Sequence, residues 1–262
     1  DADEWLEAPD EARAQLDRFA VEHMHGALGL VDIYNEPPPG GQQEAAVDLT
    51  ARVFEREKYR FAGRIHEQLQ RRDGGPFRGV RTGVRIRHSG YAQAQDDPAH
   101  KAHRNIPLLR AAMEEAPEDE YLHYQLGKAW FSLGRYRAAA IAFKQALRRI
   151  DFHATPPRGL QGPVGSEMLC GLVCTCAYAL INGEHREQAL ALLRTHAAHG
   201  HGATAYADFH HVLGYAHLQL GHWDEADAAY RASLGKPEQV RGTGSYSTWY
   251  HLGLIAEARG DM

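Results

Sequence analysis

A short motif recurs in the second half of the chain and limits its fold more than any other feature. A Leu-Gly pair, followed seven residues after its glycine by another glycine, begins at Leu126, Leu213 and Leu252. The first glycine lets two helices approach closely, and the second ends a helix in a tight turn. Recurrence of such a unit indicates helical hairpins that each pack on their neighbours. The motif therefore predicts a helical solenoid.

The segment Tyr121–Ile150 carries the fullest copy of this pattern. After its Leu-Gly pair come Trp130, Gly134, Ala139 and Phe143. This order resembles the tetratricopeptide repeat nearly position for position. Large side chains of such repeats fill the space between one hairpin and the next. We therefore expect four aromatic residues to be buried between hairpins: Trp130, Phe143, Tyr230 and Trp249.

Two parts of the repeat region depart from the pattern. The stretch Ser166–Ala198 reads as a hairpin with Asn182–Gly183 as its turn, but Ala189 falls one place late, so this repeat is degenerate. The copy that begins at Leu252 reaches only its first helix. One helix cannot cover its own apolar face, so we expect further repeats or a cap to follow.

Two segments rich in Gly and Pro interrupt the repeats, at Ala154–Ser166 and Lys236–Ser245. Their turn chemistry predicts loops. The simpler interpretation is that both loops are spacers, and the alternative is that they rim a binding groove.

The front of the chain has a different texture. One helical pattern covers Pro9–Glu22. The β-rich runs are Leu28–Asn35, Ala51–Arg56, Tyr59–Glu67 and Gly83–Tyr91. These pieces cannot close a core alone and look like the second half of an α/β domain. We expect an α+β portion over residues 1–105 and an all-α repeat domain over residues 106–262.

Composition excludes some functions and leaves others open. A net charge of −5 argues against a nucleic-acid-binding surface, and no apolar run is long enough to cross a membrane. The three cysteines, Cys170, Cys174 and Cys176, lack a second cluster, so buried reduced thiols are favoured over a zinc site. Reduced thiols suit a cytoplasmic location.

Polar motifs in the front portion are weak alone but informative in order. Asp1 and Asp3 form an acidic pair, Glu67 lies in GRIHEQL, His88 lies in RHSGY, and Lys101 opens KAHRN. Each alone also fits a solvated turn, a hydrogen-bonded histidine or an exposed helix face. Together, followed by the repeats, they resemble the family-2 glycosyltransferases with fused tetratricopeptide repeats, which have a GT-A fold.

This resemblance implies a role for each motif. Asp1, Asp3 and His88 would bind a divalent metal (Mn or Mg) with the diphosphate of a nucleotide-sugar donor. Glu67 would be the catalytic base, and Arg64 and Lys101 would neutralise the leaving diphosphate. The family's N-terminal half, which holds the nucleotide, does not precede Asp1 here, so we expect the isolated fragment to be inactive.

Two functions remain open. The leading hypothesis is a metal-dependent glycosyltransferase whose repeats bind a protein or glycan acceptor. The alternative is a non-catalytic tetratricopeptide scaffold for protein interactions. Under the first, Asp3 and His88 should converge at the carboxyl ends of the strands, and Glu67 should follow a strand and open a helix or turn.

Overall fold

The computed structural model describes residues 4–23, 27–35, 46–62, 65, 67–75, 78–89, 98–160, 162–200 and 202–260. By its internal contacts, the chain divides into two compact units, one up to Lys101 and the other from Ala102 onward.

The described part of the first unit contains one helix and six strands. The helix, α1, spans Pro9–Glu22. The strands are β1 (Glu4–Leu6), β2 (Ala27–Asn35), β3 (Ala46–Val53), β4 (Tyr59–Ala62), β5 (Gln68–Arg71) and β6 (Arg78–His88). Four of them form a sheet in the order β1-β6-β2-β3, in which only β2 and β6 run parallel.

Helix α1 covers one face of this sheet. Ala12 of α1 is buried in a small apolar cluster with Val31, Ile33 and Val84, and Leu16 packs against it. Alternate residues of β2 therefore point towards the helix, as the period of two in a half-covered strand requires.

The segment predicted to lead from a strand into a helix near Glu67 forms a hairpin instead. Strand β4 ends at Ala62, which pairs with Gln68 at the start of the antiparallel strand β5. The backbone groups of β4 need partners, and the following residues supply them by folding back. Of the two predicted possibilities, a helix or a turn at Glu67, the helix is wrong, because Glu67 lies in the connection between two strands.

The second unit is built from α-helices. Those in the described residues are α2 (Pro98–Glu115), α3 (Glu120–Ser132), α4 (Tyr136–Arg148), α5 (Ser166–Asn182), α6 (Arg186–His199), α7 (Ala207–Gln219), α8 (Trp223–Ser233) and α9 (Tyr246–Arg259). A short 3-10 helix (Ala203–Ala205) precedes α7, and a two-residue ladder, β7 (Arg158–Gly159) with β8 (Gly162–Pro163), lies in the first Gly/Pro segment. The ladder corrects the expectation of a purely helical repeat domain.

Helices α3/α4, α5/α6 and α7/α8 form three successive hairpins whose turns share one backbone geometry. A residue with positive φ follows the first helix in each turn: Gly134 (φ 67°), Glu184 (φ 66°) and Gly221 (φ 75°). Each donates its N–H to the carbonyl three residues back. The left-handed residue of the second hairpin is therefore Glu184 and not Gly183.

This geometry corrects the register of the second hairpin. Ala189 lies five residues after Glu184, just as Ala139 lies five residues after Gly134. Ala189 is thus in place and is fully buried, and the repeat is regular in structure. Its turn glycine, Gly183, lies one residue before the left-handed position, and this hides the register from the sequence.

Packing inside a hairpin places a large side chain against a small residue. A Cβ atom added to Gly127 of α3 would overlap the ring of Phe143 of α4, and one added to Gly214 of α7 would lie 2.9 Å from the ring of Tyr230 of α8. Both rings are fully buried. The equivalent positions of the second hairpin hold Ala177 and Leu193, both fully buried. Alanine is larger than glycine, and leucine is smaller than the aromatic residue of the other hairpins.

The main core of the second unit lies around α5. Ten residues of this helix are buried, including the free thiols Cys170, Cys174 and Cys176. Burial raises the pKa of the Cys176 thiol to about 12. These cysteines act as small apolar residues in the core.

Candidate functional site

One position recurs on the first helices, and we call the residues at this position the first-helix strip. This position follows directly after the glycine of each Leu-Gly pair and, in α5, after Ala177, which takes the place of that glycine. Its members are Lys128 of α3, Tyr178 of α5, Tyr215 of α7 and Leu254 of α9. Equivalent residues of stacked repeats face the same side, and successive first helices line one surface of such a solenoid.

The middle of this strip is aromatic and partly open to solvent. Tyr178 and Tyr215 are half-buried, and their ring centroids lie 5.9 Å apart. Burial raises the pKa of the Tyr178 hydroxyl, so it stays protonated at neutral pH. A half-buried tyrosine offers an apolar ring and a hydrogen-bonding hydroxyl to a ligand.

The α3 end of the strip adds a positive charge. The Nζ atom of Lys128 lies 5.5 Å from the ring centroid of Tyr124, within the range of a cation–π contact. Partial desolvation lowers the pKa of Lys128, and burial, reinforced by neighbouring groups, raises the pKa of Tyr124 to about 12. The strip therefore offers a cation at one end and apolar surface along its length.

The second Gly/Pro segment, Lys236–Ser245, folds back over the start of the first helices. The buried carboxylate of Asp208 accepts hydrogen bonds from the backbone N–H groups of Gln239 (2.8 Å) and Val240 (2.9 Å). The side-chain amide of Gln239 donates to the carbonyl oxygen of Glu167 (2.9 Å). This loop thus joins the N-terminal ends of α5 and α7.

The first Gly/Pro segment, Ala154–Ser166, makes a comparable contact one hairpin earlier. Leu160 donates its N–H to the carboxylate of Glu120, at the start of α3, at 2.8 Å. Glu120 is 3% exposed, and burial raises the pKa of its carboxyl group. Both segments therefore border the same end of the first helices, as the rim interpretation requires.

Histidines near the end of the solenoid pack inside it. The Nδ1 atom of His211 is hydrogen-bonded to the Thr248 hydroxyl at 2.9 Å. The ring of His251 stacks on that of Tyr230, with their centroids 4.9 Å apart. Burial and the neighbouring His251 lower the pKa of His211 to about 4, so it is neutral at pH 7. These rings join α7, α8 and α9.

In the first unit, polar side chains meet where β2 and β6 end. His88, the last residue of β6, donates from Nδ1 to Asn35 Oδ1 (2.8 Å), and Asn35 donates to a carboxylate oxygen of Asp48 (2.7 Å). Glu4 lies opposite His88 in the antiparallel pair of β1 and β6 and accepts from Arg52 at 2.8 Å. Of these residues, His88 was predicted from the sequence, and Asn35 and Asp48 were not.

The other residues assigned to sugar transfer are not brought together by the described structure. Three of them lie outside the described residues: Asp1, Asp3 and Arg64. Glu67 is exposed beside a different sheet from His88, and Lys101 lies half-buried in the first turn of α2. The described residues contain no group of three His, Cys, Asp or Glu side chains able to hold a metal. They do not by themselves fit a Mn or Mg site, which stays a prediction.

Of the four aromatic residues predicted to be buried between hairpins, three pack in or against a core and one does not. Phe143 and Tyr230 are fully buried, and Trp130 packs against the core while half-buried. Trp249 is 58% exposed, so its predicted burial is wrong. It lies on the side of α9 that has no second helix against it within the described residues.

One family model and several solved structures are similar to parts of this chain. The tetratricopeptide repeat family model matches residues 121–151. Among solved structures, the chain is similar to the MamA protein (18% identity, TM-score 0.46, covering 63% of this chain and 80% of that one). It is also similar to YrrB, titled "a TPR protein with an unusual peptide-binding site" (17%, 0.44, 62% and 71%), and to residues 41-end of MamA from Desulfovibrio magneticus RS-1 (18%, 0.46, 64% and 89%). None of the curated proteins compared with the chain matches it.

The second unit is a solenoid of helical hairpins, one of which lies almost entirely in the segment matched by the tetratricopeptide repeat model, and the sheet of the first unit is not identified as a GT-A fold. No helix in the described part of the chain combines the length and apolar character that crossing a membrane requires. The first-helix strip was missed at the sequence level because the second hairpin was read one residue out of register. Counting back from Glu184, as from Gly134 and Gly221, would have found Tyr178.

Proposed function

We propose that the second unit is a protein-interaction scaffold that binds an extended segment of a partner along the first-helix strip. The observation that carries this proposal is the recurrence of Lys128, Tyr178 and Tyr215 at one position of successive first helices. Lys128 is exposed, and the two tyrosine rings are partly open to solvent. Side chains in the core of a repeat protein need not be accessible, whereas these remain available to a ligand.

The dimensions favour a short extended ligand. Packed helices lie about 8–10 Å apart, so the four strip positions span roughly 25–30 Å. An extended chain advances about 3.3 Å per residue, which corresponds to about eight or nine residues. Lys128 favours an acidic group at one end of the ligand, and the tyrosines favour apolar or aromatic side chains beside it.

Selection from a random-peptide display library, followed by calorimetric titration of the enriched peptides, tests this proposal. Lys128→Glu and Tyr178→Leu should each weaken binding at least tenfold. Ile141→Ala is the matched control, because Ile141 is 64% exposed on the second helix α4 and lies outside the strip. Peptides that bind the strip variants as tightly as the unsubstituted chain would contradict the proposal.

The reverse charge at Lys128 gives a sharper test of ligand chemistry. Peptides enriched on the unsubstituted chain should carry Asp or Glu towards one end, and Lys128→Glu should shift the preference to Lys or Arg. No change of preference would mean that the cation does not contact the ligand.

A second candidate function concerns the first unit. We propose, on the resemblance to family-2 glycosyltransferases, that it takes part in sugar transfer from a nucleotide-sugar donor in the intact protein. Supporting this, His88 and Asn35 end two adjacent parallel strands, where ligands of open α/β sheets bind. Glu4, opposite His88, directly follows the predicted metal ligand Asp3.

Titration with Mn²⁺ and an assay of sugar transfer separate this candidate from the scaffold. In the intact protein, Asp3→Asn should abolish transfer and weaken Mn²⁺ binding while leaving the thermal midpoint nearly unchanged. Full activity in Asp3→Asn, or activity undiminished by a chelator, would refute it. Peptide binding to the second unit would be unaffected by either result.

A further inference from the structure

Tyr230 of α8 carries a buried hydroxyl group that has no hydrogen-bond partner among the described residues. The residue is fully buried, and its hydroxyl oxygen is closed to solvent. Buried polar groups in proteins are nearly always paired, because an unpaired one has lost its water without a replacement. This hydroxyl therefore gains a hydrogen bond from any polar atom that reaches it.

The ring of Tyr230 places this hydroxyl beside the first-helix strip. Its Cγ and Cδ atoms lie 2.9–3.0 Å from a Cβ atom added to Gly214 of α7, so the near half of the ring covers the glycine and the hydroxyl lies beyond it. Gly214 directly precedes the strip member Tyr215, which packs against the cluster that contains Tyr230. Burial raises the pKa of Tyr230, and the neighbouring phenols of Tyr178 and Tyr215 raise it further. The hydroxyl thus lies near the two tyrosines of the strip.

The ring of Tyr230 is held in place, whereas its neighbours in the strip have more freedom. His251 stacks on the ring with the centroids 4.9 Å apart, and His211 meets it edge to face at 5.2 Å. Tyr178 and Tyr215 are only half-buried, and a tyrosine ring can turn about its side-chain bonds between rotamers. A ligand that moves either ring aside can therefore reach a hydroxyl whose own position is fixed.

The chemistry of the hydroxyl specifies what it binds. The raised pKa keeps Tyr230 protonated at neutral pH, so its O–H group is available as a donor. The acceptors that a peptide offers are its main-chain carbonyl oxygens and the oxygens of its acidic and amide side chains. A ligand that places an apolar group at this point leaves the hydroxyl unpaired and gains nothing from it.

We propose that the Tyr230 hydroxyl donates a hydrogen bond to a carbonyl or carboxylate oxygen of the segment bound along the first-helix strip. This inference rests on the proposed function of the second unit and adds a polar contact beside Tyr178 and Tyr215. The strip then selects a ligand by three features, which are an acidic group near Lys128, apolar side chains beside the tyrosines and an oxygen acceptor at Tyr230.

Tyr230→Phe tests the proposal, because it removes the hydroxyl and keeps the ring. No described residue pairs with this hydroxyl, so the urea midpoint of the free chain should stay the same or rise. Calorimetric titration with the tightest peptide selected by display on the unsubstituted chain should show binding about five- to tenfold weaker. Tyr136→Phe is the matched control, because Tyr136 is half-buried on the second helix α4, outside the strip. It should leave the affinity for the peptide unchanged.

Stability and affinity together decide the outcome. A lower urea midpoint for Tyr230→Phe would show that the hydroxyl already has a partner in the free protein, and would overturn the proposal. Unchanged affinity would overturn it too. If Lys128→Glu and Tyr178→Leu weaken binding while Tyr230→Phe does not, only this proposal fails and the strip remains the binding surface. If none of the three variants weakens binding, or if display selects no peptide, the proposed function fails with it.

Alanine substitutions along the same peptide, each combined with Tyr230→Phe in a double-mutant cycle, identify the acceptor. Coupling with one acidic or amide side chain assigns the hydrogen bond to that side chain. Additive effects at every position, with Tyr230→Phe still weakening binding, assign it to a main-chain carbonyl oxygen.

Discussion

The same substitution in two copies of the Leu-Gly motif should have opposite effects on stability. Alanine stabilises a helix interior by about 1 kcal/mol relative to glycine. At Gly253 nothing opposes this gain, because no atom lies within 4 Å of the added Cβ. At Gly127 the added Cβ overlaps the buried ring of Phe143, and overpacking of a core costs about 1–3 kcal/mol. Gly253→Ala should therefore stabilise the chain by about 1 kcal/mol, and Gly127→Ala should destabilise it by up to about 2 kcal/mol, the overpacking cost less the helix gain.

Urea unfolding followed by far-ultraviolet circular dichroism measures both effects as shifts of the midpoint at constant slope. The second hairpin suggests a rescue, because it holds Ala177 and Leu193 at the equivalent positions. Gly127→Ala should cost less when combined with Phe143→Leu, with a coupling of about 1 kcal/mol or more in a double-mutant cycle. Shifts of the same sign for both glycines, or strictly additive effects in the cycle, would refute the close approach of ring and glycine as the reason.

Three further predictions follow from the described contacts. Glu184→Gly should stabilise the chain by about 0.5–1 kcal/mol, because Glu184 has a φ of 66°, where residues other than glycine are strained; a lower thermal midpoint would contradict this. The pKa of His211 is lowered to about 4, so the unfolded chain binds the proton first, and stability should fall as pH drops from about 6.5 to 4, by at most about 1.4 kcal/mol per unit. Urea midpoints at pH 7 and 5 should show a smaller loss in His211→Gln than in the unsubstituted chain. Asp208→Asn should speed amide hydrogen exchange at Gln239 and Val240 at least tenfold, since one charged acceptor holds both N–H groups; unchanged protection would show that the loop is held by other contacts.

Local repetition explains why the helical half could be predicted from the sequence. Each hairpin contacts mainly its neighbours, so a motif of Leu-Gly, a turn glycine and a ring carries nearly all the information its fold requires. The burial of Phe143 and Tyr230 followed directly from this motif. Trp249 did not, because burial of a first-helix residue depends on a second helix, and none packs on that side of α9 among the described residues.

The sheet of the first unit was less predictable because its pairings are distant in the sequence. Strand β6 pairs with both β1 and β2, the paired residues lie more than fifty positions apart in the sequence, and no local pattern states this order. His88 was recognised from a motif, whereas Asn35 and Asp48 entered only through the pairing of β2 with β6 and β3. Asp1, Asp3 and Arg64 lie outside the described residues, so their roles remain those implied by the resemblance.

The sequence by itself determined the helical class of the second half and the rings that fill its first and third hairpins, because these depend on local spacing and side-chain size. Only the tertiary structure decided the register of the second hairpin, where Glu184 adopts the left-handed conformation otherwise held by glycine. It likewise decided that Asp208 and Glu120 hold the two Gly/Pro segments at the ends of the first helices. A backbone dihedral angle and a hydrogen bond across 31 or 40 residues are set by the packed chain around them, and residue types alone do not encode either.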